Sequence, residues 1–179
     1  MKTLFTLLWT LVALQAAGQR VYSANENAHS HNDYLQPAPF HTARAHRFGS
    51  IEVDVHLVDG QLLAAHARDE ARADRTLEAL YIRPIVEAMD GNNGNIYTGG
   101  GKLQLLVDIK GDADSTLRAL ERLLQPLRRY FDPGENAGAV RVVISGNAPP
   151  PPPVPPQPPL VTLPRPPPRP NPPPPGAPP

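Results

Sequence analysis

The chain contains no cysteine. Disulfides, thiolate metal ligands and a cysteine nucleophile are therefore excluded. It also lacks net charge, with 17 basic and 17 acidic residues. No Lys/Arg-rich run stands out, so the electrostatic footprint of a nucleic-acid binder is missing. Beyond the first residues no apolar run is long enough to cross a bilayer. Histidine is absent after position 66: all six, His29, His31, His41, His46, His56 and His66, fall in one short segment. Such crowding suits a site better than scattered surface placement.

Residues 1–18 have the pattern of a secretory signal: Lys2, an apolar core from Leu4 to Leu14, then Ala16 and Gly18 ahead of Gln19. An uncleaved anchor is the competing reading. The mature chain is expected to be secreted or periplasmic, with no stable membrane span after cleavage. From Pro149 the composition changes abruptly, and residues 149–179 hold twenty of the 25 prolines. No packed core forms from that composition, so residues 148–179 are expected to be a disordered or polyproline II tail. It reads either as a spacer or aromatic-groove ligand, or as the product of a shifted reading frame.

Between these ends, Ser50 to Leu57 alternates strictly. Glu52, Asp54 and His56 share one parity, and Val53, Val55 and Leu57 the other, so a strand here turns two carboxylates and an imidazole to one side. If that side faces an interior, a divalent cation compensates the buried charge. If it faces water, the strand is an ordinary half-exposed one. The Asp59-Gly60 turn leads to a second apolar run ending at His66.

The rest of the chain alternates strands with helices. A short strand at Asn27–Tyr34 precedes a helix over Phe40–Arg47 that Gly49 stops. A Leu77–Met89 segment has Pro84 in the first turn of a helix. Glycine-rich residues 91–101 form a loop. Lys102–Lys110 is a strand with Asp108 and Lys110 on one face. An amphipathic helix over Ser115–Tyr130, capped by Asp114 or Ser115, and a strand over Val140–Ser145 complete the series. Alternation of this kind predicts an α/β fold with a parallel sheet, its polar candidates on or just past strand ends.

Three motifs carry a family resemblance. The segment His29-Ser-His-Asn-Asp-Tyr-Leu35 resembles the first catalytic segment of the phosphatidylinositol-specific phospholipase C-like phosphodiesterases. Glu52-x-Asp54 followed by His66 is similar to the glycerophosphodiester phosphodiesterase signature, and Asp108-x-Lys110 resembles the carboxylate-x-Lys of the third strand. The nearest likeness is to a branch sharing the His-Asn-Asp-Tyr form. The usual glycerophosphodiesterase histidine followed by Arg-Gly is absent.

The resemblance implies a (β/α)8 TIM barrel and phosphodiester cleavage assisted by Mg2+ or Ca2+. It puts Glu52, Asp54, Asp108 and Asn32 on the metal. It makes His31 the first catalytic histidine and base, His66 the acid, and Lys110 the group that neutralises the phosphoryl oxygens. Aligning on the preceding alanine selects His29 in place of His31. His41, His46 and His56 are left as structural or supporting groups. The substrate implied is a small-molecule or lipid phosphodiester.

Such a barrel needs about 250 residues. Residues 19–147 supply about the first four β/α units, so the fold class expected is an incomplete barrel followed by the proline-rich tail. A half barrel has open sheet edges, and this polypeptide alone is expected to be unstable, weakly active or dependent on oligomerisation. The competing function class is a secreted non-catalytic fragment or binding module.

Overall fold

The computed structural model describes residues 24–148. The expected leader (1–18), and all of the proline-rich segment except its first residue, lie outside the described residues. The described residues all belong to one compact unit.

The sheet is built around β2 (Ser50–Val58). On one edge β2 pairs in parallel with β4 (Gln104–Ile109), which pairs in parallel with β5 (Arg141–Gly146). Its other edge is shared: β1 (His29–Ser30) runs parallel beside Ser50 and Ile51, and β3 (Gln61–Ala64) runs antiparallel beside Val55–Val58. The observed class is therefore α/β with a mainly parallel sheet in the order β1-β2-β4-β5.

β3 departs from the all-parallel expectation, and its cause is local. Asp59 and Gly60 both take left-handed backbone conformations, φ 48° and 79°. That is the pairing a two-residue hairpin needs to match strand twist. The apolar run before His66 therefore folds back on β2 and carries His66 toward the loop that follows β1.

Ile51, Val53 and Val55 pack with Leu105, Val107 and Ile109 of β4 into one apolar face, each fully buried. Leu77, Tyr81, Ile82, Ile85 and Met89 cover that face from α2 (Arg83–Asp90) and the helical turn before it. The opposite face of β2 is buried as well, with Glu52 8%, Asp54 1% and His56 6% exposed. The alternating strand thus turns its carboxylates inward.

The helices differ from expectation where proline or an earlier cap intervenes. Pro84 sits in the first turn of α2, but helix already runs in from a π-helical turn, Glu78–Ile82, in which the Arg83 N–H donates to Glu78. Pro84 has no N–H to return to Leu80 and its ring crowds that carbonyl, a place where helices widen. The amphipathic helix is α3 (Ala113–Leu124), and its cap is Asp112, not Asp114 or Ser115. Asp112 Oδ1 accepts the Ser115 N–H at 2.9 Å and the Ser115 hydroxyl at 2.6 Å. Pro126 ends α3 in a 3-10 turn before the short α4 (Arg128–Phe131).

The segment between β1 and α1 (His41–Ala45) is held by one buried carboxylate. Asp33 is fully buried. Its Oδ1 accepts the Ser30 hydroxyl at 2.7 Å, and its Oδ2 accepts the Phe40 N–H at 2.5 Å and the Tyr81 hydroxyl at 3.0 Å. Phe40 lies at φ 64°, ψ −51°, with the His41 N–H donating to Pro39 at 2.7 Å. This is a tight γ-turn, a strained conformation for a bulky residue that persists only when its surroundings enforce it.

Asp33→Ala would leave the Phe40 amide and the Tyr81 hydroxyl buried without an acceptor. Chemical denaturation should show a loss of about 2–4 kcal/mol, with Asp33→Asn losing less. Tyr81 and Tyr97 add a pH dependence. Burial pushes the Tyr97 phenol up to about 12, and burial followed by the Asp33 charge pushes Tyr81 higher still. An unfolded tyrosine loses its proton near pH 10 while the folded one keeps it. This contribution to stability is therefore full below about pH 10 and is lost as pH rises through the folded values. Urea midpoints should fall progressively above about pH 10.

Candidate active site

The chemistry-bearing side chains meet where β1, β2, β4 and β5 end. In-register pairing sets Asp54 beside Asp108, and Asp108 beside Ser145, so three polar groups form a row across adjacent strands. Glu52 lies two residues earlier on the same face of β2. One oxygen each from Glu52, Asp54 and Asp108 fall within 4.8 Å of one another.

The two oxygens of each aspartate are used differently. Asp54 Oδ2 accepts the Tyr34 hydroxyl at 3.0 Å and meets His66 Nδ1 at 2.8 Å. Asp108 Oδ2 accepts the Ser145 hydroxyl at 3.0 Å. Asp54 Oδ1 and Asp108 Oδ1 are buried and receive no directed hydrogen bond. They face the Lys110 ammonium as ion pairs, at 3.3 and 3.0 Å. Burial alone would lower the Lys110 pKa, but Asp108 and Asp54 outweigh it and hold the ammonium above its ordinary value.

Glu52 gathers the first histidines. Its Oε2 lies 3.5 Å from His29 Nε2 and 3.4 Å from His31 Nε2, and accepts the Asn32 N–H at 3.3 Å. His29 is engaged at both nitrogens, because Nδ1 lies 2.8 Å from the Ser50 hydroxyl. Asn32 sits at φ 49°, ψ 44°, a left-handed conformation that asparagine tolerates better than most residues. A carboxylate only accepts, so His66 carries its proton on Nδ1 and leaves Nε2 free. His66 and His31 are both well exposed, so their free nitrogens can reach a ligand from solvent.

The fold thus brings together Glu52, Asp54, Asp108, His29, His31, Asn32, His66 and Lys110. The other histidines stand apart. His41 packs edge-on against Phe40, and His46 lies tilted against Phe48. His56 is buried with Nε2 3.2 Å from the His66 carbonyl, supporting the residue that carries the exposed imidazole.

Several contributors escape sequence reasoning. Tyr34 orients Asp54, with burial and that hydrogen bond raising its pKa, and Arg75 donates to the Tyr34 carbonyl. Ser145 carries no signal of its own in the sequence; its place comes from register with Asp108 on the neighbouring strand. Gly146 leaves room: a Cβ there would lie 2.4 Å from Asp108 Oδ1. A cavity of about 840 Å3 lies elsewhere, lined by residues such as Leu117, Leu124, Phe131 and Val142. It holds no acid, base or ligand of the cluster. A smaller cleft of about 420 Å3 adjoins the site through Tyr34, Ala64 and Ala65.

The donors suit a hard divalent cation. Three carboxylates offer oxygen atoms that could hold one, and two buried oxygens lack a directed donor. Paired with exposed imidazoles, such a cluster can support proton transfer beside a polarised phosphate.

The AIM6-like phosphodiesterase domain model matches residues 20–150, and the chain belongs to this family. It is similar to "Altered inheritance of mitochondria protein 6 homolog" of Arthroderma benhamiae, 31% identical over 147 residues. That match covers 68% of this chain and 47% of the relative. It is also similar to "Altered inheritance of mitochondria protein 6" of Lachancea thermotolerans, 33% identical over 145 residues, covering 68% of this chain and 34% of the relative. The chain therefore spans less than half the length of these curated relatives. No solved structure matches.

Gly146 gives a test of the packing around Asp108. At φ 69° a side chain is strained, and a Cβ would collide with Asp108 Oδ1 and the Ile109 carbonyl. Gly146→Ala should cost about 1–3 kcal/mol, measured by denaturant unfolding. Gly99→Ala, with a positive φ but open space around it, should cost less.

Proposed function

We propose that this member of the AIM6-like phosphodiesterase domain family is a metal-dependent phosphoric diester hydrolase using histidine acid–base catalysis. The observation that carries this reading is the convergence of Glu52, Asp54 and Asp108 oxygens beside His31 and His66. Mg2+ or Ca2+ is the proposed cofactor, held by these three carboxylates with Asn32 alongside. Bound there, the cation would supply Lewis-acid polarisation of a phosphate oxygen.

The chain's own groups divide the remaining work. His31 is the base, taking the proton from a neighbouring substrate hydroxyl or water. What favours it over His29 is that His29 has both ring nitrogens engaged, whereas among the described residues Glu52 is the one polar partner recorded for the His31 ring nitrogens. His66 is the acid in its doubly protonated form: Asp54 accepts from Nδ1–H and stabilises the imidazolium, whose Nε2–H proton passes to the departing alkoxide and leaves the neutral imidazole. Lys110 brings positive charge to the developing phosphoryl charge.

The substrate proposed is a glycerophosphodiester or a phospholipid-like diester, as in the glycerophosphodiesterase-like branch. The parallel β1-β2-β4-β5 order supports reading the fold as the first units of a (β/α)8 barrel. The proposed extracytoplasmic location rests on residues 1–18.

Turnover of bis(p-nitrophenyl) phosphate and glycerophosphodiesters tests the proposal. Activity should require Mg2+ or Ca2+ and disappear with EDTA. Asp108→Asn and His66→Ala should each lower kcat by about 100-fold or more. Activity that survives chelation, or Glu52→Gln without loss, would overturn the metal-dependent mechanism. A folded chain with no turnover on any diester would favour the non-catalytic alternative.

A further inference from the structure

We propose that Lys110 is a resident counter-cation which a divalent ion displaces, the ammonium and the ion holding the same two oxygen atoms in turn. This deepens the metal-dependent reading and rests on it. The oxygens are Asp54 Oδ1 and Asp108 Oδ1. Both are buried, neither receives a directed hydrogen bond, and Lys110 Nζ faces both, at 3.3 and 3.0 Å.

The partner oxygens are less available: Asp54 Oδ2 already accepts from Tyr34 and sits against His66, and Asp108 Oδ2 accepts from Ser145. The oxygens most open to an incoming ion are those that Lys110 now faces. Three carboxylates against one ammonium leave residual negative charge that attracts a dication, yet the ammonium repels it.

Lys110 is built to move at its tip only. Its N–H donates to Val55 at 3.0 Å, and its carbonyl accepts from Asn147 Nδ2 at 3.2 Å, which pins the backbone. The side chain is partly exposed, 26%, although its ammonium faces the buried oxygens. Displacement would release the ammonium at the mouth of the site, where a substrate phosphate would arrive. It would also keep the carboxylates compensated in the ion-free protein.

The test compares the full chain with Lys110→Met. In calorimetric titrations with Mg2+ and with Ca2+, Lys110→Met should bind at least about tenfold more tightly. Its melting temperature should be lower than wild type in EDTA and should rise more on adding the ion. A second measurement needs no variant: acetylation of the wild-type chain, read by peptide mass spectrometry, should show Lys110 becoming more reactive when the ion is added. Equal or weaker binding by Lys110→Met, or Lys110 reactivity that stays constant or falls, would overturn the exchange while leaving the metal reading intact. No binding of either ion by either protein would instead remove the metal reading, and the exchange with it.

Discussion

Two carboxylates facing each other across paired strands set the terms for this structure. Asp54 and Asp108 are register partners on β2 and β4, so the sheet itself forces their charges together. Asp54 is almost completely buried. Isolated ionised groups in such a position are very costly, and the fold answers with three kinds of compensation. Tyr34, His66 and Ser145 supply hydrogen bonds, Lys110 supplies charge, and Gly146 supplies space. The compensating groups come from four pieces of chain, with Ser145 and Gly146 both on β5. The cluster therefore ties the loop after β1, the hairpin end, β4 and β5 to one another.

That cross-linking explains the position of the strain. Asn32 and Phe40 both have positive φ and flank the segment that carries Tyr34. Asp33, buried at its centre, fastens this segment to Ser30, Phe40 and Tyr81. Tyr81 belongs to the helical turn packed on the apolar face of the sheet, so the core itself holds the loop. Neighbouring residues consequently have separate tasks. Asp33 shapes the backbone, Tyr34 orients Asp54, and His31 and Asn32 face Glu52.

Much of this was legible in the residues. Period-two alternation from Ser50 to Leu57 places Glu52 and Asp54 on one face, and the parity of Asp108 and Lys110 places them together on the next strand. What alternation could not decide was whether that face met solvent or interior, because period two is the same in either case; burial on both faces of β2 settles it. The antiparallel β3 was hidden because Leu62–Ala65 is a short apolar run of no distinctive period, although Asp59-Gly60 is a hairpin signal. The cap of α3 was misplaced because Asp112, Asp114 and Ser115 all have suitable side chains; only geometry shows that Asp112 reaches Ser115. Ser145 and Gly146 gain meaning only through register with Asp108, and strand register is a tertiary property.

The order of these residues along the chain separates two requirements that the proposed hydrolase would have to meet. Every histidine, carboxylate and lysine of the cluster lies between His29 and Lys110, on β1, β2 and β4 or just past β1, β3 and β4. Adjacent strands and one hairpin are enough to assemble it. β5 adds only the Ser145 hydroxyl and the space at Gly146. Selection of the groups flanking a phosphate needs walls around the cluster, and the cleft beside Tyr34, Ala64 and Ala65 supplies one side of such a wall. Among the described residues β5 pairs only with β4, leaving its outer edge free of ladder hydrogen bonds. On the proposed reading, the chemistry is thus a local property of the first strands, while substrate choice depends on what encloses them.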